Sequence, residues 1–153
     1  MNESMNPVSS SLVKARYLSR LPWVMVFVIA ALIGAWWLTP WLYIAVGFFV
    51  TWLIWLVWLI PVQVRNMGWL ETPDELLITK GKFWHTYTVV PYGRIQFVDV
   101  TAGPIAKLFG LKTVELHTAS SSSDSEIVGL EADIADALRD RLAVQARERM
   151  RGL

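Results

Sequence analysis

"VVPYGRIQFVDVTAGPIAKLFGL", Val89 to Leu111, decides what kind of fold follows the apolar half of this chain. Apolar and polar residues alternate along it, Pro91-Tyr92-Gly93 marks a turn, and Gly103-Pro104 is a break, so it reads as β-structure that meets water. Alternation slips within Arg94–Thr101. Ile95 and Phe97 share one face while Val98 and Val100 share the other, and a β-bulge near Phe97 reconciles the two. "IAKLFG" reads as a short helical turn. Leu111–Thr118 then alternates cleanly, with Val114 and Leu116 inward and Thr113, Glu115 and His117 outward.

Working outward, Glu75–Thr79 and Phe83–Val90 flank "KGK" as a hairpin, with Gly81 expected to supply the unusual backbone angle. On the other side, "ASSSSDS" reads as a hairpin loop and Glu126–Val128 as a short return strand. The period then changes. Leu130, Ile134, Leu138 and Leu142 recur every four residues, which makes one helix face apolar. Glu131, Asp133 and Asp136 stand near the start of that helix and five arginines toward its end, a polarity that complements the helix dipole. Antiparallel strands closed by one amphipathic helix imply an α+β domain, a curled sheet or barrel capped by the helix.

Before this domain the chain is of another kind. From Leu21 to Val64 there is no Asp, Glu, Lys, Arg or His. A hydrocarbon core of ~30 Å takes about 20 helical residues, so the stretch is long enough to cross twice. Pro22 suits a helix start, Thr39-Pro40 a break, and Pro61 a second end, giving spans of Pro22–Leu38 and Trp41–Ile60. "GAWWLTPW" offers no signal-peptidase pattern, and a second span follows at once. Lys14, Arg16, Arg20 and Arg65 flank the outer ends of the spans and the connection carries no charge, which puts both termini of a multi-pass protein in the cytoplasm. The expected organisation is a cytoplasmic tail over residues 1–21, a transmembrane hairpin over 22–62 and a cytoplasmic domain over 65–153. Ala30 and Gly34 permit close helix approach. Trp52 and Trp55, on a stripe with Phe48 and Leu59, are candidates for contact with other membrane helices.

Composition narrows the function. After Val64 there are 11 Lys and Arg against 12 Asp and Glu. A domain so nearly neutral is poorly suited to nucleic acid, whose phosphates need a basic face. The chain has no Cys, which removes disulfides and thiolate metal sites. His85 and His117 are the only histidines and lack metal-ligand spacing, so no metal and no cofactor is expected. "SSSSDS" lacks the Gly-Lys pairing of a phosphate loop, and Asp74-Glu75 and Asp133/Asp136 are explained by a turn and a helix start. No ionisable residue lies within the spans, where ion and proton paths usually need one. Lys80, Lys82 and Arg94 are the best candidates for contact with anionic headgroups or a partner.

"ETPDELLITKGKFWHTYTVVPYGRIQFVDV", "GPIAKLFGLKTVELHTAS" and "IVGL" resemble, in order, the bacterial pleckstrin-homology family of YdbS-like membrane proteins. The resemblance covers roughly Leu70 to Leu142 and rests on Pro91, Tyr92, Gly93 and Arg94, on Gly110, Leu111 and His117, and on Gly129 and Leu130. Ser120 to Ser123 depart from it, since many relatives carry paired glycines there. It implies a PH-like antiparallel β-barrel, no catalytic residues, and pairing with a larger membrane protein carrying several such domains, or with further copies of this chain. The function it implies is a non-enzymatic scaffold in envelope maintenance or resistance to membrane-active agents. A subunit of a membrane export or transport assembly and an anionic-lipid sensor are the alternatives.

Overall fold

The computed structural model describes residues 5–81, 83–119 and 125–152. Two long helices come first, α1 (Ser11–Trp37) and α2 (Leu42–Arg65), packed as an antiparallel hairpin. Both are long and apolar enough to cross a membrane. Along the hairpin interface α1 buries Val24 and Ala35, and Gly34 faces Leu42, whose Cδ1 would lie 3.0 Å from a methyl group at that position. Ala30, in contrast, faces outward.

Neither proline bounds its helix as the sequence pattern predicts. Pro22 and Pro61 both lie inside. A proline at position 61 cannot bond the carbonyl of Val57, four residues back. That carbonyl instead accepts a hydrogen bond from the Tyr17 hydroxyl of α1 at 2.7 Å. A side chain from the neighbouring helix thus repairs the gap in the ladder, which is how membrane helices keep internal prolines. α1 starts eleven residues ahead of Pro22. Its 27 residues rise about 40 Å, against a hydrocarbon core of ~30 Å, so its first turns project beyond the bilayer. The segment read as a tail is therefore largely helix, preceded by a two-residue strand, β1 (Asn6–Pro7).

The remaining strands are β2 (Gly68–Glu71), β3 (Glu75–Gly81), β4 (His85–Pro91), β5 (Ile95–Thr101), β6 (Leu111–Thr118) and β7 (Ser125–Glu131). They pair antiparallel in two sheets, ordered β1-β2-β3-β4 and β5-β6-β7. The single closed barrel expected from the sequence is not formed among the described residues. Pro91 ends β4, and a 3-10 turn over Tyr92–Arg94 carries the chain from one sheet to the other in place of a continuous ladder. The bulge expected in β5 is present, as a register shift between Ile95 and Phe97. It brings Ile95, Val98 and Val100 to the core side and turns Phe97 outward, where its ring stacks on His117 with centroids 4.3 Å apart. Phe97 and Ile95 therefore do not share a face.

A short helix, α3 (Pro104–Leu108), links β5 to β6, and α4 (Ala132–Arg151) closes the domain. α4 buries Ala135, Leu138, Leu142 and Ala146. Ile134, predicted on the inner face, is 43% exposed, and Leu130 enters the core from β7 instead. The serines of the β6–β7 connection, Ser120 to Ser123, lie outside the described residues.

Candidate functional site

The hairpin and the sheets meet in an apolar collar. Val8, Leu12 and Ala15, from the start of the chain, pack with Val64 at the end of α2 and Leu111 at the start of β6. The Ser9 N–H donates to the Gly129 carbonyl at 2.9 Å. Arg16 Nη1 donates to Gln63 Oε1 at 3.1 Å, tying the two helices together where they leave the apolar stretch. Beside this pair is a cavity of about 190 Å³ whose lining includes Met67, Lys80, Gly81 and Glu126. The N-terminal segment, which carries no motif, is thus a structural part of the domain. Its only sequence signal is the apolar triplet Val8, Leu12 and Ala15, too sparse to stand out from a polar tail.

The motif residues serve the frame of this collar and of the core. Tyr92 is 2% exposed, and its hydroxyl donates to the Thr72 carbonyl at 2.8 Å. Burial, helped by the nearby Glu71, pushes its phenol pKa up. Pro91 sets the extended entry to the turn, and Gly93 lies beside Arg149 of α4, where a methyl group would make an ordinary contact at 3.9 Å. Gly110 and Gly129 take positive φ, +66° and +79°, a conformation that side chains rarely tolerate. Gly129 has a second constraint, since a methyl group there would lie 2.5 Å from Leu12 Cδ2. Gly81, by contrast, has no positive φ; its Cβ would collide with the Trp84 carbonyl, so close approach rather than backbone angle requires glycine. Leu111 and Leu130 are each 2% exposed, one in the collar and the other in the core. His117, stacked on Phe97, has its Nε2 3.7 Å from Asp99 and 3.9 Å from Glu115.

The cationic candidates do not form one site. Lys80 pairs with Glu126 at 3.4 Å, close to the collar. Arg94 is exposed beyond Pro91, which opposes Glu75 at the far end of the β3–β4 hairpin. Five residues of extended strand, roughly 17 Å, separate Glu75 from Lys80. Lys82 lies outside the described residues. The acidic pairs are structural here: Asp74 pairs with Arg149, and Asp136 accepts from Lys112 at 2.8 Å, which holds its carboxyl below the usual range. In the membrane half, Trp52 and Trp55 with Phe48 and Thr51 line an apolar groove of about 350 Å³ on the outer side of α2.

The family model for the bacterial PH domain matches residues 15–146. The chain belongs to the bacterial PH domain family. The match begins inside α1 and ends inside α4, so most of both of these helices, all of α2 and strands β2 to β7 fall within the bacterial PH pattern. A stretch of 87 residues is 38% identical to the UPF0699 transmembrane protein YdbS of Bacillus subtilis (strain 168), covering 56% of this chain and 54% of that relative. The chain spans about half the length of the curated relative it matches. No solved structure matches it. Two apolar helices joined to a bacterial PH domain make this a membrane protein with transmembrane helices, as the resemblance in the sequence implied.

Proposed function

We propose that this protein is a non-enzymatic scaffold of the bacterial inner membrane, a helical hairpin that holds a PH domain rigidly at the cytoplasmic face for a membrane partner. The collar carries this reading. Because the start of the chain and both helix feet are packed into the domain, anything that grips the hairpin fixes the orientation of the sheets. The motif residues support it too, since Tyr92, Gly110, Gly129, Leu111 and Leu130 are occupied in holding the frame. The partner is a membrane protein carrying several such domains, or further copies of this chain, in a complex that maintains the envelope or resists membrane-active agents. Its docking surface is the groove of Phe48, Trp52 and Trp55, where packing rather than charge drives helix association. Lys14, Arg16, Arg20 and Arg65 on one side of the hairpin support cytoplasmic termini.

Purification in mild detergent tests the scaffold. A membrane protein should co-purify in fixed stoichiometry, and Trp52→Leu with Trp55→Leu should reduce its recovery. Recovery of the bare chain alone, in the wild type as in the double variant, sinks the proposal. Topology has its own check. A cysteine replacing Met150, half exposed on α4, should resist an impermeant maleimide in intact cells; labelling there would put the domain on the other side.

A further inference from the structure

The tip of the β3–β4 hairpin is built against the usual chemistry of a turn. Turns are mostly small or polar, yet this one presents Phe83, 61% exposed, and Trp84, 87% exposed, side by side. Its position in the fold gives the reason. β2 leaves α2 after Asn66, and Gly68 opposes Thr79 of β3, so β3 runs back toward the hairpin it came from. Lys80 and Gly81 then line the same small cavity as Arg16 and Gln63, which places them level with the feet of the two helices. Leu21, where the charge-free stretch begins, is only five residues beyond Arg16, about 7.5 Å of helix rise. Gly81 opposes His85 across the hairpin, so Phe83 and Trp84, which come after Lys82 in the sequence, sit in the bend that closes it.

We propose that this tip is a third membrane contact, with Phe83 and Trp84 seated in the interfacial layer of the same bilayer that α1 and α2 cross. Trp is favoured at that depth because its ring is apolar while its N–H can still find a polar partner. Trp23, 70% exposed on α1, already marks the neighbouring level of the hairpin. The far end of the domain has Arg94 exposed and Asp74 paired to Arg149. The adjacent exposed pair of Phe83 and Trp84 lies at the hairpin end of the domain, beside the Lys80–Glu126 ion pair. An aromatic wedge of this kind needs no headgroup pocket, and the tether of two spans supplies the high local concentration that a weak contact requires. The contact would set the tilt of the sheets whichever partner they present, so it stands apart from the scaffold reading.

The absence of native cysteine makes the test direct. Trp84→Cys and, as reference, Val89→Cys are each labelled with a polarity-sensitive fluorophore in the full-length protein. Val89 is 48% exposed on β4 and four residues beyond His85, about 13 Å further from the tip. Both are reconstituted in nanodiscs of phosphatidylcholine and phosphatidylglycerol, with and without lipids spin-labelled near the headgroup. Position 84 should emit at shorter wavelength, be quenched several-fold less by aqueous iodide than position 89, and be quenched by the shallow spin label. Iodide quenching at 84 equal to that at 89 overturns the proposal. Protection from iodide without quenching by the spin-labelled lipid overturns it as well, because protein rather than lipid would then cover the tip.

Discussion

The core beneath α4 and the collar at the feet of the hairpin are both apolar and are built in different ways. The core draws residues from every strand between β2 and β7 together with Leu138 and Leu142 of α4, which are almost fully buried. The collar joins pieces that are remote in sequence, Val8, Leu12 and Ala15 with Val64 and Leu111, and depends on a glycine to let them meet. The difference teaches a division of labour. One cluster makes the PH domain fold, and the other makes it turn with the membrane hairpin. If that division holds, damage to the core should destroy the domain, whereas damage to the collar should leave it folded but loosely hung.

The largest effect is expected in the core. Leu138 is 0% exposed, and Leu138→Asp would place a carboxylate with no partner among apolar side chains. An uncompensated buried charge costs several kcal/mol, comparable with the ~5–15 kcal/mol that holds a whole domain together. The full-length variant in detergent should lose amide protection throughout β2 to α4 while α1 and α2 remain helical. Unchanged protection in the strands would show that α4 does not cap the core.

A smaller and more local effect is expected in the collar. At Gly129, φ is +79° and Leu12 closes the space a side chain would need. Gly129→Val therefore meets the ~1–2 kcal/mol penalty of a left-handed conformation, and it must also push α1 away. Hydrogen exchange should accelerate at Leu12 to Ala15 and stay slow at Leu138 and Leu142. Leu12→Ala should give the same pattern by emptying the contact from the other side. If both variants also released the protection of α4, core and collar would be one cooperative unit and the division would fail.

The core was legible in the sequence and the collar was not, for a physical reason. Strand alternation and the four-residue period of a helix are local signals, so β5, β6, the bulge near Phe97 and α4 could be read from neighbouring residues. Even there, tertiary packing decided details: Ile134 matches the period yet faces out, and Ala135 and Ala146 fill the inner face as small residues. The collar is made of contacts between residues about a hundred positions apart, Leu12 with Leu111 and Gly129, which leave no period to find. The prolines misled for a related reason. Pro61 breaks a helix unless something repairs the missing bond, and the repair comes from Tyr17, forty residues before the Val57 carbonyl it bonds. Among the proposed contact residues, Lys80 and Arg94 looked close in composition but lie at opposite ends of one hairpin. No local pattern marks Trp84, because only the register of β2 on β3 shows which way its turn points.

The smallest effect concerns Tyr92, at the point where the chain passes between the sheets. Its hydroxyl is the donor to the Thr72 carbonyl, so Tyr92→Phe removes one hydrogen bond and keeps the ring. A loss of about 1 kcal/mol is expected at neutral pH, with no change in the collar. The pH dependence distinguishes this bond from simple packing. Burial raises the phenol above its ordinary 10.0, with Glu71 adding to the effect. A group whose folded pKa is raised contributes stability below its unfolded pKa and loses it as pH rises through the folded one. The wild type should therefore lose stability above about pH 10 at the expense of this buried phenol, whereas the Phe variant has no proton to lose there. Denaturant midpoints for the two proteins should converge as pH rises through that window and then cross. Parallel alkaline loss in both would assign the titration to another residue and reduce Tyr92 to a packing role in the passage between the sheets.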